Sequence, residues 1–227
     1  MSIRPAVRSD SVVEGRALRR DAAENRKRLL AAAEQVFSEG GLDVGVEEVA
    51  RVAGVGMGTL YRRFPTKEAL ISELVREMFV DLVEMATATL QVPEGEGLEQ
   101  LLYGTGVLQA SHRGCLSRLW NDDQTTAMKN EYRRIIAELL VLAKDAGRIR
   151  RDVTHTDIDL TFWAIRGVIE TTRGVSDTAW RRHLAVVIAG MRPGAEKFAE
   201  PPVDEHDVAR AKSRSVPSTG RSPFVES

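Results

Sequence analysis

The chain has 227 residues, 43% of them hydrophobic, only 5% aromatic, and a net charge of −1. That is apolar material enough for one large domain or for a small domain joined to a larger one. Its single cysteine, Cys115, excludes an internal disulfide framework and a multi-cysteine metal site, and no apolar run reaches the roughly 18–20 residues that span a bilayer, so a soluble, cytoplasmic protein is expected.

The charge is unevenly spread. Residues 1–28 hold eight basic side chains against four acidic ones, which at +4 leaves −5 for the remainder of a chain whose total is −1. A basic end on an acidic body suits an end that meets a polyanion, and it suits a solvated tail equally well. Ala, Leu, Glu and Arg are plentiful and alternating β-branched runs are missing, so the elements are expected to be helices.

Residues 1–20 are polar, Arg-rich and without apolar period, and read as a flexible basic arm. Arg16, Arg19 and Arg20 either enter a minor groove or add salt-sensitive, nonspecific affinity; of the two we take the second. A first helix is expected from about Asp21, with Glu24 three residues on, as in a capping box. Its inward stripe is Leu29, Ala33, Val36 and Phe37, and Gly40–Gly41 end it. A second, short helix covers 46–53, with Val46, Val49, Ala50 and Ala53 on one face and Gly54 closing it. A third covers 57–64, where Leu60 and Phe64, four apart, turn inward and leave Met57, Gly58, Thr59, Tyr61, Arg62 and Arg63 outward. Pro65 stops it, and Thr66 caps a long fourth helix with Leu70, Leu74, Met78 and Leu82 on one side.

Two short helices joined by a glycine-containing turn make a helix-turn-helix. Neither is long enough to persist alone, so both depend on burial against the first and fourth helices. What stays outside is small enough for a major groove about 12 Å wide. Arg62 and Arg63 suit guanine edges or phosphates, and the hydroxyls of Tyr61 and Thr59 suit phosphates. Met57 and the Thr59 methyl suit thymine methyls, and Gly58 permits a close approach. Lys67, in the first turn of the fourth helix, would meet one phosphate together with that helix's amides.

The stretch VEEVARVAGVGMGTLYRRFPTKEAL, residues 46–70, resembles the DNA-binding signature of the TetR family of bacterial transcriptional regulators, and RLLAAAEQVFSEGGLDV, residues 28–44, resembles that family's first helix. Ala53-Gly54-Val55, Gly58-Thr59-Leu60-Tyr61, Phe64 and Lys67-Glu68-Ala69-Leu70 fall in register. The resemblance implies an all-α fold: an N-terminal three-helix helix-turn-helix domain over 21–80, joined by a linking helix to a C-terminal ligand-binding and dimerisation domain over 81–192. It implies a homodimer on a palindromic operator in double-stranded DNA, released when a small-molecule effector binds, and acting as a repressor. Three departures stand out. Val44 and Gly45 occupy the place of a hydroxyl residue that caps the second helix, so any phosphate contact there falls to the Gly45 backbone. Gly56 replaces the usual Ser cap of the recognition helix. Glu47 puts a carboxylate where a basic or neutral groove-facing residue is common.

Beyond residue 90 the pattern stays helical, with expected helices at 98–111, 115–120, 122–146, 156–172 and 177–191 and a C-terminal stop at Gly147. Two stripes, Ile158, Phe162, Ile165, Ile169 and Trp180, Leu184, Val187, Ile188, Met191, are the candidates for a dimer seam; the resemblance implies that they pair with their symmetry mates as a four-helix bundle, and packing within their own subunit is the alternative. A ligand pocket between these helices would draw on Trp120, Met128, Tyr132, Phe162, Trp163 and Arg166. His112, Arg113 and Arg118 read as a solvated loop. Residues 193–227 hold five of the eight prolines and read as a disordered tail.

An enzyme, cofactor or metal site is not expected. His112, His155, His183 and His206 are scattered without metal-ligand or nucleophile–base spacing. Asp152, Asp157 and Asp159 sit at a helix start, where the dipole favours them. Gly-Val-Gly-Met-Gly at 54–58 has no preceding strand and no following Lys-Ser/Thr. The alternative function is a helical small-molecule-binding protein with weak or nonspecific DNA binding, kept open by Gly45, Glu47 and Gly56.

Overall fold

The computed structural model describes residues 10–112, 125–194, 196 and 198–214. Among them are nine α-helices, one 3₁₀ turn and no strand: α1 (Asp10–Gly40), α2 (Val46–Ala53), α3 (Met57–Arg63), α4 (Lys67–Thr89), the 3₁₀ turn Pro93–Gly95, α5 (Gly97–Ser111), α6 (Thr126–Asp145), α7 (His155–Thr171), α8 (Ala179–Met191) and α9 (Glu205–Arg214). Two compact units, Met1–Glu73 and Leu74–Ser227, divide the chain within α4.

In the first unit the periodic apolar positions become the core. Leu29, Ala33 and Phe37 of α1, Val49 of α2, Leu60 of α3 and Leu70 of α4 are at most 1% exposed. Gly54 ends α2 at φ +64°, a left-handed conformation that is inexpensive only for glycine. The Val55 N–H donates to the Ala50 carbonyl at 3.0 Å, which satisfies one of the helix's last carbonyls and turns the chain toward α3. α3 ends at Arg63, one residue earlier than expected. Phe64 precedes a proline and is driven to φ −128°, ψ 95°. Thr66 caps α4, its Oγ1 accepting from the Ala69 N–H at 3.1 Å. An Arg26–Glu73 ion pair and the Lys67 ammonium over the Phe37 ring, 5.8 Å from its centre, tie α1 to the first turns of α4.

α1 starts at Asp10, well before the expected Asp21, so residues 10–20 are helix rather than arm. The segment lacks an apolar stripe, yet it is rich in Arg, Ala, Glu and Leu. Adding residues to an existing helix needs no new nucleus, so propensity alone can extend it.

In the second unit, α7 carries a complete capping box. The Thr154 N–H donates to Asp157 Oδ2 at 2.7 Å, and the Asp157 N–H donates back to Thr154 Oγ1. Gly106 of α5 lets the Trp180 ring of α8 lie directly against the backbone, where a Cβ would collide with it. The stripes expected to form a dimer seam are instead consumed within the unit. Ile158, Phe162, Ile165, Ile169, Trp180, Leu184, Ile188 and Met191 are at most 5% exposed, and only Val187 stays partly open. The expected helix at 115–120 lies outside the described residues.

The tail also departs from expectation, because α9 forms inside it. Asp204 starts this helix by accepting from the His206 N–H at 2.7 Å. Val208 is buried at 1% exposure, and Lys212 reaches Asp159 of α7 at 2.9 Å. The prolines flank residues 203–216 and none falls within, so the average composition of the region hid a good helical stretch.

Candidate nucleic-acid interface

α3 is held by one deeply buried residue, Leu60, at 1% exposure. At about 100° per residue, Gly58 and Arg62 lie opposite Leu60, with Tyr61 and Thr59 to either side and Met57 and Arg63 toward the edges. Exposure follows that wheel: Gly58, Arg62 and Arg63 are exposed, Tyr61 is 45% exposed, and Met57 and Thr59 are half-buried. No ion pair among the described residues ties down Arg62 or Arg63, so both guanidinium groups are available. Their place in the last turn also suits the negative end of the helix dipole. Gly56 and Gly58 have open space where a Cβ would stand, so the backbone itself is part of the surface.

The flanking residues are placed less uniformly. Gly45 is exposed in an extended conformation as the N-cap of α2 and contributes no side-chain cap. Gly56 does the same for α3. Lys67 is half-buried on Phe37, so its ammonium is positioned rather than free to sweep. On α2, Glu47 is exposed, while Glu48 and Arg51 pair at 2.6 and 2.8 Å. That hydrogen bond holds the Glu48 carboxyl below its ordinary range. Sequence reasoning passed over this pair, although its i, i+3 spacing was a usable signal.

In the second unit, two of the residues expected around a ligand come together. Tyr132 and Phe162 are buried with ring centres 6.3 Å apart, and the Tyr132 hydroxyl shares a 2.7 Å hydrogen bond with Thr105 Oγ1. Burial pushes the Tyr132 phenol well above its usual range, so it stays neutral. They border a cavity of about 10 Å³, room for a single water, completed by Met78, Leu82, Leu108 and Gln109. Met128, Trp163 and Arg166 do not line it and are half-exposed. Partial burial lowers the Arg166 pKa, against the opposing charge of Glu170. Trp120, like Cys115, Arg113 and Arg118, lies outside the described residues. Met78, Leu82, Thr105, Leu108 and Gln109 are the lining residues that sequence reasoning missed, of which Thr105 and Gln109, four apart on α5, are polar.

A second, open groove of about 460 Å³ runs between α7 and α8, bordered by Leu160, Ala164, Val186, Val187, Gly190 and Phe198 among others. It is mostly apolar, with Asp157, Thr161 and His183 also on its border, and faces outward, with Val186 at 56% exposure.

A short, cation-bearing helix presented outward after a glycine turn, on a three-helix scaffold continued by a long helix into a larger helical body, defines a helix-turn-helix DNA-binding regulator. The comparisons agree. Residues 29–74 match the family model of bacterial regulatory proteins of the tetR family, and residues 95–193 match that of the SbtR-like transcriptional regulator C-terminal domain. A TetR transcriptional regulator from Streptomyces coelicolor is 34% identical, with 75% of this chain and 99% of that one covered, at a TM-score of 0.56. A TetR regulatory protein from Mycobacterium vanbaalenii is 30% identical, with 77% and 99% covered, at a TM-score of 0.53. The chain belongs to the TetR family of transcriptional regulators, whose members are regulators rather than enzymes. An HTH-type transcriptional regulator from Staphylococcus aureus is 43% identical over 54 residues, 23% of this chain and 29% of that regulator's own length. Among the described residues no helix is long and apolar enough to cross a membrane.

Proposed function

We propose that this regulator is a cytoplasmic, ligand-released repressor that binds a palindromic operator as a homodimer. The observation that carries the reading is α3: one buried anchor, Leu60, and an outward arc of Gly58, Thr59, Tyr61, Arg62 and Arg63 with both guanidinium groups unengaged among the described residues. Arg62 faces base edges. Tyr61, Thr59, Arg63 and Lys67 hold phosphates, Met57 rests on a thymine methyl, and the Gly45 amide stands in for the absent hydroxyl cap. The domains of this reading are a helix-turn-helix domain over 21–80 and a ligand-binding and dimerisation domain over 81–192.

The outward face of α7 and α8 supports the dimer. Leu160, Ala164 and Val168 on one helix and Val186, Val187 and Gly190 on the other are small apolar residues left partly or fully exposed beside an open groove. Two copies closing this face by a two-fold axis would form a four-helix seam. Such a dimer would set its recognition helices about 34–36 Å apart, one turn of DNA. Ligand release draws on α4, an unbroken helix from Lys67 to Thr89 that lends Met78 and Leu82 to the cavity. A ligand that widens the cavity moves α4 and favours a dimer geometry that no longer fits the operator.

Selection from a random duplex pool tests the reading, with Tyr61→Ala and Arg62→Ala in parallel. A palindromic consensus that the variants lose or relax is the expected result. No enrichment, with variants equal to wild type, would leave only the helical small-molecule binder.

A further inference from the structure

Gln109 is 7% exposed on α5, borders the cavity beside Tyr132 and Phe162, and its Oε1 has no hydrogen-bond partner among the described residues. A buried polar atom without a partner lowers stability, and a leucine of nearly the same shape would avoid the loss. The other two polar groups of the lining do not share this state, since the Thr105 and Tyr132 hydroxyls share a hydrogen bond of 2.7 Å and neither oxygen is without a partner. The cavity therefore presents one buried polar atom without a partner, in a wall otherwise made by the hydrogen-bonded Thr105–Tyr132 pair and the apolar Met78, Leu82, Leu108 and Phe162.

We propose that the cavity takes an uncharged, mostly apolar molecule with a single hydrogen-bonding group, and that Gln109 is the residue that selects it. The proposal rests on the ligand-binding reading above. No lining residue bears a charge, because Tyr132, the one ionisable member, is held neutral by its burial. An anion would be desolvated there without a partner. It would also feel the Asp159 carboxylate, whose charge reaches Tyr132. A cation would find that carboxylate already met by Lys212 at 2.9 Å, His155 at 3.6 Å and Arg133 at 3.9 Å. A carboxamide can offer its oxygen or, turned over, its N–H₂, so a hydroxyl, an amide or a carbonyl each fits the open position. With about 10 Å³ of free space the cavity must widen to admit a ligand, and Met78, unbranched and pliable, is the side chain best suited to yield.

The test is titration calorimetry of the full-length protein with three probes of one shape: benzyl alcohol, toluene and benzoate. Gln109→Leu is run beside wild type, with Gln109→Met as a second apolar replacement in case the branched side chain does not fold. The ratio of benzyl alcohol to toluene affinity is expected to be about tenfold higher in wild type than in either variant. Benzoate is expected to give no saturable heat, and the variants to melt no lower than wild type. Benzoate binding as tightly as the alcohol, or an unchanged alcohol-to-toluene ratio in the variants, overturns the proposal while leaving a ligand site in place. A lower melting temperature with an unchanged ratio assigns Gln109 to holding a structural water and overturns it too. Failure of all three probes to bind wild type removes the ligand site itself, and this proposal with it.

Discussion

Replacing Arg62 and replacing Leu60 should separate contact from scaffold on a single seven-residue helix. Arg62 is exposed and opposite the buried face of α3, with no ion pair among the described residues. Arg62→Ala should therefore leave folding stability within about 0.5 kcal/mol. If the guanidinium reads a guanine edge, its loss costs about 1–3 kcal/mol per half-site, roughly five- to 150-fold in affinity, and relaxes the sequence requirement at that position alone. In a two-fold dimer both half-sites lose the contact, so the free-energy loss doubles. If Arg62 holds a phosphate instead, affinity falls evenly across sequences and the salt dependence becomes shallower by about one ion. Leu60 is only 1% exposed, and Leu60→Ala should cost about 2–5 kcal/mol of folding stability. Binding would then disappear because α3, too short to persist alone, is no longer held.

The assay pairs urea unfolding with fluorescence anisotropy on a selected operator at two salt concentrations. The expected pattern is crossed: Arg62→Ala stable and weak-binding, Leu60→Ala unstable. Arg62→Ala binding with unchanged affinity, sequence preference and salt slope would refute the assignment of α3 as the reading helix. A Leu60→Ala protein as stable as wild type would refute the inward facing of that residue.

Thr154→Ala removes the capping box of α7 and should cost about 1 kcal/mol, seen as a lower urea midpoint that Thr154→Ser restores. Val186→Glu, placed at a side chain 56% exposed, should convert dimer to monomer in sedimentation without lowering monomer stability; an unchanged dimer would move the seam elsewhere. Lys212→Met should loosen α9 by less than the roughly 3–5 kcal/mol of a buried pair cut in isolation, because His155 and Arg133 still face Asp159; protease sensitivity of the C-terminal helix reports it. Burial alone would raise the Asp159 carboxyl, yet contacts from His155 and Lys212 hold it below its ordinary value. A depressed carboxyl stabilises the fold above its unfolded pKa near about 3.9 and stops doing so as pH falls through the lower folded value. Asp159→Asn should therefore be less stable than wild type at pH 7 and lose that difference below the folded pKa; a difference that persists in strong acid would contradict the assignment.

The turns and caps of the DNA-binding half were legible because their determinants are local. The Gly54 turn, the Thr66 cap, the proline after Phe64 and the Leu60–Phe64 pair each act within a few residues, so chain order is enough to place them. The body was harder to read for the opposite reason. Tyr132 meets Thr105 across 27 positions and Lys212 meets Asp159 across 53, and no spacing rule connects such residues. Phe162 and Trp163 were both reasonable aromatic candidates, but neighbours on a helix point about 100° apart, and only Phe162 faces the cavity. The dimer stripes failed in an instructive way. α7 and α8 each bear a strong apolar stripe and a weaker one of smaller residues. The subunit's own core claims the strong stripe, so the weaker face is the one that stays exposed.

That division bears on how a small ligand could govern a large complex. A ligand shifts an equilibrium only by its differential affinity for the two states, and a tenfold shift needs about 1.4 kcal/mol. A hydrogen bond completed at the buried Gln109 Oε1, which has no partner among the described residues, is worth about that much. It is available only in a state where Met78 and Leu82 of α4 have made room, because the closed cavity of about 10 Å³ cannot hold the ligand. The polar position that chooses the ligand is then also the source of the differential affinity that moves α4. Filling it with leucine should stabilise the closed form and weaken the response in the same substitution, so tighter packing and loss of induction are expected together.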